Sequence, residues 1–246
     1  MKPATVLVTG ASSGIGEAIC RELMAQDYRV IGAARSIDKL AQLAQELGSN
    51  FLPQVLDVTE SGSISAMLAE LPQQFQDIDV LVNNAGHDIG GRQSFEAGEA
   101  DLWCDIIETN VQGMIRVSHA VIEGMLARGQ GHIVNMGSIA ALKPYATGSA
   151  YVASKYAVHG LSETLRLDFA GRGIRVTEIM PGLVRTNFAA RRLDDANSAE
   201  AFYDGIGQYL RPEDVAQTLL FALQQPAHVE IAQLVVLPVS KNTGLR

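Results

Sequence analysis

The chain has 246 residues, 47% of them hydrophobic and 19% charged, with a formal net charge of −8 at pH 7. That apolar content supports a large buried core and excludes a disordered chain, while the acidic balance speaks against nucleic acid as a general partner, because phosphate binding needs a basic surface. Two cysteines far apart in sequence, Cys20 and Cys104, make neither a disulfide framework nor a metal site, and both are expected as buried thiols in a reducing compartment. Met1-Lys2-Pro3 runs straight into an apolar, strand-like segment without a signal-peptide layout. No apolar run has the length of a membrane span, so the expected setting is the cytoplasm, with no membrane partner. The histidines form no metal-site spacing, and no metal is expected.

The first strand is predicted at residues 6–8, and Thr9-Gly10-Ala11-Ser12-Ser13-Gly14-Ile15-Gly16 carries it into a helix over 14–26. Gly10 suits a tight turn. Gly14 and Gly16 let backbone approach a ligand and let helix pack on strand. The helix N-terminus then offers free N–H groups and a positive dipole end to a pyrophosphate; an ordinary glycine-containing turn is the plainer alternative. A second strand, 29–33, leads into Ala34-Arg35-Ser36. An acid there would bind the ribose 2′-hydroxyl of NAD. None is present, and Arg35 with Ser36 could hold a 2′-phosphate, which favours NADP(H); otherwise Arg35 is a solvated surface residue.

Further along, helices are predicted over 37–47, 62–75, 101–128, 149–171 and 212–224, alternating with strands at 51–56, 80–82, 132–136, 175–179 and 233–237. The strands are rich in Val, Ile and Leu without polar alternation, as in strands covered on both faces. The fold class is therefore α/β: one Rossmann-type domain over 1–246, a doubly wound parallel sheet of about seven strands with helices on both faces and right-handed crossovers. Residues 185–210 break the rhythm with charge pairs and scattered aromatics after Pro181-Gly182. A long excursion beyond a strand's carboxyl end is expected as a substrate-covering lid.

Tyr151 and Lys155 fall four apart in a helical segment, so both side chains lie on one face. A free tyrosine has a pKa of about 10; a neighbouring ammonium favours the tyrosinate, and such a phenol can exchange a proton with an alcohol or carbonyl oxygen as hydride moves. Alone, the pair is weak, since many such spacings are chance surface pairs. Ser138 adds weight. It follows a strand in Asn135-Met136-Gly137-Ser138, at the edge where ligands bind, and its hydroxyl could hydrogen-bond the reacting oxygen or simply cap a turn.

With Asp57-Val58, Asn83-Asn84-Ala85-Gly86, Asn110 and Pro181-Gly182 in the same order along the chain, the set resembles the short-chain dehydrogenase/reductase family over nearly the whole length. Within it, the chain is more similar to bacterial NADP-dependent 3-hydroxy acid dehydrogenases and serine 3-dehydrogenase-like enzymes, on Gly182-Leu183-Val184, Arg211 to Val215, Pro226 to Val229 and Leu237 to Val239. The resemblance implies that Tyr151 is the general acid/base, that Lys155 lowers its pKa and holds the nicotinamide ribose, and that Ser138 orients the substrate oxygen. It implies that Asn110 holds a water in a proton relay with Lys155. Asp57 and Val58 would flank the adenine, Asn84 would lie along the cofactor, and Pro181, Gly182, Val184 and Thr186 would contact its nicotinamide end. A homotetramer built on the two long helices, with small residues such as Ala153, Ala157 and Gly160, is also implied.

The substrate expected from this is a small molecule, a short 3-hydroxy acid or its semialdehyde, which needs a counter-charge. Arg185 and Arg192 in the excursion, and Arg92 after Gly86, are the candidates; Arg185 stands where the closer relatives usually have glycine. A sulfonate-bearing aldehyde, an uncharged ketone or a diketone is the alternative, and a non-catalytic NADP-binding sensor is a reading from another class.

Overall fold

A computed structural model of the chain describes residues 3–188, 192 and 208–239. Seven strands form one sheet in the order β3-β2-β1-β4-β5-β6-β7, and every pairing is parallel. In chain order they are β1 (Thr5–Thr9), β2 (Arg29–Ala34), β3 (Phe51–Val55), β4 (Ile78–Asn83), β5 (Gly131–Met136), β6 (Ile174–Pro181) and β7 (Gln233–Val236). The chain winds outward from β1 through β2 to β3, then returns to place β4 on the other side of β1. A crevice opens at such a reversal, beyond the carboxyl ends of the two strands.

Alternation along β1 fills both faces. Val6 and Val8 join a core with Ile19, Leu23 and Leu219, under α1 (Gly14–Ala25) and the last helix. Leu7 joins the opposite core with Phe75, Leu81 and Ile133. Among the described residues, the other helices with defined bounds are α2 (Ile37–Leu47), α3 (Ser61–Ala69), α4 (Ala100–Ile107), α5 (Met114–Arg128), α6 (Ser149–Asp168) and α7 (Pro212–Leu223). Burial of β1 on both faces, 0–1% exposed throughout, is why its sequence carries no polar alternation.

Three predicted helices differ from the observed ones. The helix over 62–75 stops at Ala69 and resumes as a 3₁₀ turn, Gln73–Phe75. Pro72 lacks the N–H and pushes the residue before it out of the helical region. The helix over 101–128 is interrupted by a π turn, Glu108–Gly113, between α4 and α5. The helix over 149–171 ends at Asp168, and Gly171 and Gly173 at positive φ turn the chain into β6. Cys20 is buried as expected, but Cys104 is exposed, because α4 turns Trp103 and Ile106 inward and leaves Cys104 outside. Most of the excursion over 185–210 lies outside the described residues. Its two ends meet: Arg185 N donates to Leu210 O at 2.8 Å and Leu210 N to Leu183 O at 2.9 Å.

Candidate active site

A cavity of about 930 Å³ runs along the carboxyl edge of the sheet from the β1–α1 loop to the start of α6. All the site residues expected from the sequence line it except Gly16, Asn110 and Arg185. Its volume is in the range of small-molecule and cofactor sites.

At one end, Gly10 adopts φ +67°, and a Cβ there would lie 2.9 Å from Ala85 Cα. The close approach is held by β4. Asn84 donates through Nδ2 to Thr9 O at 3.0 Å and to Gly10 O at 3.3 Å, and Thr9 Oγ1 accepts from Asn84 N and Ala85 N. Asn84 thus clamps the loop as well as facing the cavity. Ser13 begins α1 without spending its side chain on a cap, which leaves the hydroxyl and the first N–H groups of a well-formed helix available to a phosphate. Arg35 and Ser36 are exposed on the cavity wall just past β2. Opposite them, burial works against ionisation of Asp57, but hydrogen bonds from Thr59 and the charge of Arg35 outweigh it and hold its carboxyl below the usual range. These features, a glycine turn, an open helix N-terminus and a cation where an NAD site has an acid, fit NADP(H).

At the other end, α6 projects Tyr151 and Lys155 into the cavity. Lys155 Nζ donates to Met136 O at 2.8 Å and sits 5.5 Å from the Tyr151 ring centroid. Ser138 faces the Tyr151 phenol and favours its ionised form, while its hydroxyl accepts from Ala140 N at 3.1 Å and caps a turn. Burial pushes Tyr151 up to about 12, against the charge of Arg192 and the Ser138 side chain. Lys155 is pushed down to about 8 by burial, against the charges of Glu178 and Asp88. The expected lowering of Tyr151 by Lys155 is therefore not what the chain alone produces: desolvation dominates, and the cation that favours the tyrosinate is Arg192.

Asn110 sits in the π turn, buried, with its side chain turned away from the cavity. Its Oδ1 accepts from His87 N at 2.9 Å, and its Nδ2 donates to His87 O at 3.0 Å and Ser154 Oγ at 3.1 Å. Both amide protons are spent on holding the β4–α4 loop against α6.

Of the three arginines, the structure brings Arg192 and Arg92 to the cavity and not Arg185, which is exposed and stacked on Tyr209 at 5.1 Å. Arg92 lies over Tyr145 at 4.6 Å. The Arg192 guanidinium sits over the rings of Tyr151 at 5.4 Å and Phe188 at 5.1 Å, and its Nε approaches Asp88 Oδ2 at 2.6 Å.

Sequence reasoning missed Asp88, Tyr145 and Phe188, all on the cavity wall, and the buried Glu178, which accepts from or pairs with His159 at 2.7 Å beneath Gly137. None belongs to a motif. Asp88 alone carried a signal, an acid two residues past Gly86 in a loop at the ligand edge. Among the described residues no group of three or more His, Cys, Asp or Glu is placed to hold a metal ion, and no helix is long and apolar enough to cross a membrane.

Residues 4–197 match the model of the short chain dehydrogenase family. The chain is 40% identical to a probable NADP-dependent dehydrogenase of Haemophilus influenzae, over 98% of this chain and 96% of that protein. It is 41% identical to the NADP-dependent 3-hydroxy acid dehydrogenase YdfG of Salmonella typhi, over 96% of each. Among solved structures, the closed form of serine dehydrogenase complexed with NADP+ superposes with a TM-score of 0.92 at 40% identity, covering 94% of both chains.

Proposed function

Since the chain belongs to the short chain dehydrogenase family, we propose that it is an NADP(H)-dependent oxidoreductase acting between a short 3-hydroxy acid and the corresponding semialdehyde. The observation that carries this reading is the convergence of Tyr151, Ser138 and Lys155 on one wall of a cavity whose other end is the glycine turn and open N-terminus of α1. Bound NADP(H) supplies or accepts the hydride. Gly10, Ser12, Ser13, Gly14 and Ile15 would hold its pyrophosphate, Arg35 and Ser36 its 2′-phosphate, Asp57 and Val58 its adenine side, with Asn84, Pro181, Gly182, Val184 and Thr186 further along.

Tyr151, protonated at neutral pH, gives its phenolic proton to the oxygen of the carbonyl as it becomes an alkoxide, and takes it back in the oxidative direction. Ser138, on the same stretch of wall as that phenol, orients the same oxygen. Lys155, anchored on Met136 O, keeps two N–H groups for the ribose and for proton return. Asn110 would serve a relay through its backbone carbonyl, since its amide protons are committed and a π turn breaks the regular helical ladder. Arg192 is the cation that would receive a substrate carboxylate; its place over the Tyr151 ring supports it over Arg185.

The segment 185–210 would cover the substrate, which the reach of Phe188 and Arg192 into the cavity supports. A cytoplasmic homotetramer is the proposed working form. The exposed Ile115, Tyr156 and Leu167 on α5 and α6, beside the small residues Ala153, Ala157 and Gly160, support an interface on those helices.

The test is turnover of NADPH with a panel of semialdehydes, ketones and diketones, and of NADP+ with L-serine and 3-hydroxypropionate. Turnover with the acid pair is expected. Tyr151→Phe should lose about 10²–10⁴-fold in rate while keeping NADPH binding. Near-normal rates in that variant would sink the mechanism, and tight NADPH binding with no turnover on any compound would point to a sensor.

A further inference from the structure

Asp88 belongs to none of the roles assigned above. It stands in the loop after β4, its side chain 0% exposed, in space that Gly91 leaves open: a Cβ on Gly91 would lie 1.7 Å from Asp88 Oδ1. Among the described residues, neither carboxylate oxygen accepts a hydrogen bond. A buried, unpaired carboxylate is costly enough to give up its charge. Its compensation here is ionic: Arg192 Nε at 2.6 Å in close contact without an aligned hydrogen bond, backed at longer range by Arg92 and Lys155. The same guanidinium covers Tyr151. One side chain thus connects a buried acid to the phenol at the reacting end of the cavity.

We propose that Asp88 is the positioning residue for substrate-anion recognition. By engaging Arg192 through Nε, the nitrogen nearest its stem, Asp88 fixes the guanidinium over Tyr151 and presents the terminal nitrogens of its planar fork to a substrate carboxylate. Asp88 touches no substrate itself, because its oxygens are covered. The inference rests on the reading of Arg192 as the anion contact. Its consequence is selectivity: the loss of Asp88 weakens acids and spares uncharged carbonyls of the same length.

The test compares steady-state constants for a carboxylate substrate and an uncharged aldehyde or ketone of matched length, in wild type, Asp88→Asn, Asp88→Ala, Arg192→Ala and the Asp88→Ala/Arg192→Ala double variant. Asp88→Asn keeps the shape of the side chain, and NADPH binding reports folding in each case. Expected is a rise in KM for the carboxylate of about tenfold to a hundredfold in either Asp88 variant, the range of a charge-assisted contact. The KM of the uncharged substrate should stay within about threefold, and any change in kcat, which the charge of Arg192 on Tyr151 also reaches, should be the same for both substrates. In the Arg192→Ala background, Asp88→Ala should add nothing to KM, because the two act through one contact. Equal rises in KM for charged and uncharged substrates, or a KM effect that persists without Arg192, would overturn the inference. So would tighter carboxylate binding in Asp88→Ala, which would make Asp88 a competitor for Arg192. If Arg192→Ala itself leaves the carboxylate KM unchanged, the reading of Arg192 fails first; if wild type turns over no acid or semialdehyde, the proposed reaction fails independently of both.

Discussion

Gly16 is buried where α1 passes under the β1–α1 loop, and a methyl group added there would lie 2.3 Å from Gly10 O and 2.6 Å from Asn84 Nδ2. Neither neighbour can yield cheaply, because the Asn84 amide is bonded to Thr9 O and Gly10 O. Gly16→Ala should therefore destabilise the chain by about 1–3 kcal/mol, the usual cost of overpacking, and weaken NADPH binding by pushing the loop away from its clamp. Denaturant melts and a fluorescence titration with NADPH measure both. Gly62→Ala is the control, since a Cβ there meets nothing within 4 Å. Wild-type NADPH affinity in Gly16→Ala would mean the Asn84 clamp does not shape the loop. The glycines were legible in the sequence because their need is local, a positive φ or a close approach. The clamp on them was not, because Asn84 lies on another strand and its type says nothing about which carbonyls it will meet. The pairing of Asp88 with Arg192 was obscure for the same reason: charge pairs between distant loops leave no spacing to read.

At the scale of elements, β5 carries a buried ionisable group between two strands. His132 is 2% exposed, its Nε2 is 2.8 Å from Thr177 Oγ1 on β6, and burial, with the charge of Arg175 adding to it, pushes its pKa down to about 3. The folded state therefore refuses a proton that the unfolded chain takes up near pH 6.5. Unfolding binds protons between those values, so stability falls as pH drops below about 6.5 and goes on falling until about 3. Between pH 7 and pH 5 this single group should remove about 2 kcal/mol. Urea melts at the two pH values should show a drop in wild type larger by that amount than in His132→Gln, which does not titrate. Equal drops would mean that the imidazole is charged inside the sheet. The strands themselves were all legible, because a parallel sheet covered on both faces demands uninterrupted Val, Ile and Leu. Helix interruptions were less so. Pro72 announces its break, but the π turn at Glu108–Gly113 leaves the apolar pattern intact, and with it the reason Asn110 faces His87 rather than the cavity stayed hidden.

For the whole molecule, an overall charge of −8 has to admit a polyanionic cofactor, and the fold does so locally. The reversal of strand order between β1 and β4 opens a crevice, the N-terminus of α1 faces into it, and Arg35 stands on its wall across from Asp57. Binding to the folded chain alone stabilises it by mass action, by about 2.7 kcal/mol at a hundredfold excess over Kd. For a chain of this size each kcal/mol raises Tm by about 2–4 °C, so saturating NADPH should raise Tm by roughly 5–11 °C. NADH at the same concentration should raise it less, because it has no 2′-phosphate for Arg35 to pair with. Arg35→Asp sharpens the comparison. It replaces the cation that would face the 2′-phosphate by a carboxylate, with that of Asp57 already across the crevice, so the NADPH shift should fall below the NADH shift. The sign of that difference depends on one side chain, whereas the mean shift depends on the loop and α1, which both cofactors share. Equal shifts for NADPH and NADH in the wild-type chain would separate the two contributions in the other direction: the crevice would bind the shared pyrophosphate, and Arg35 would be a surface residue with no hand in the choice.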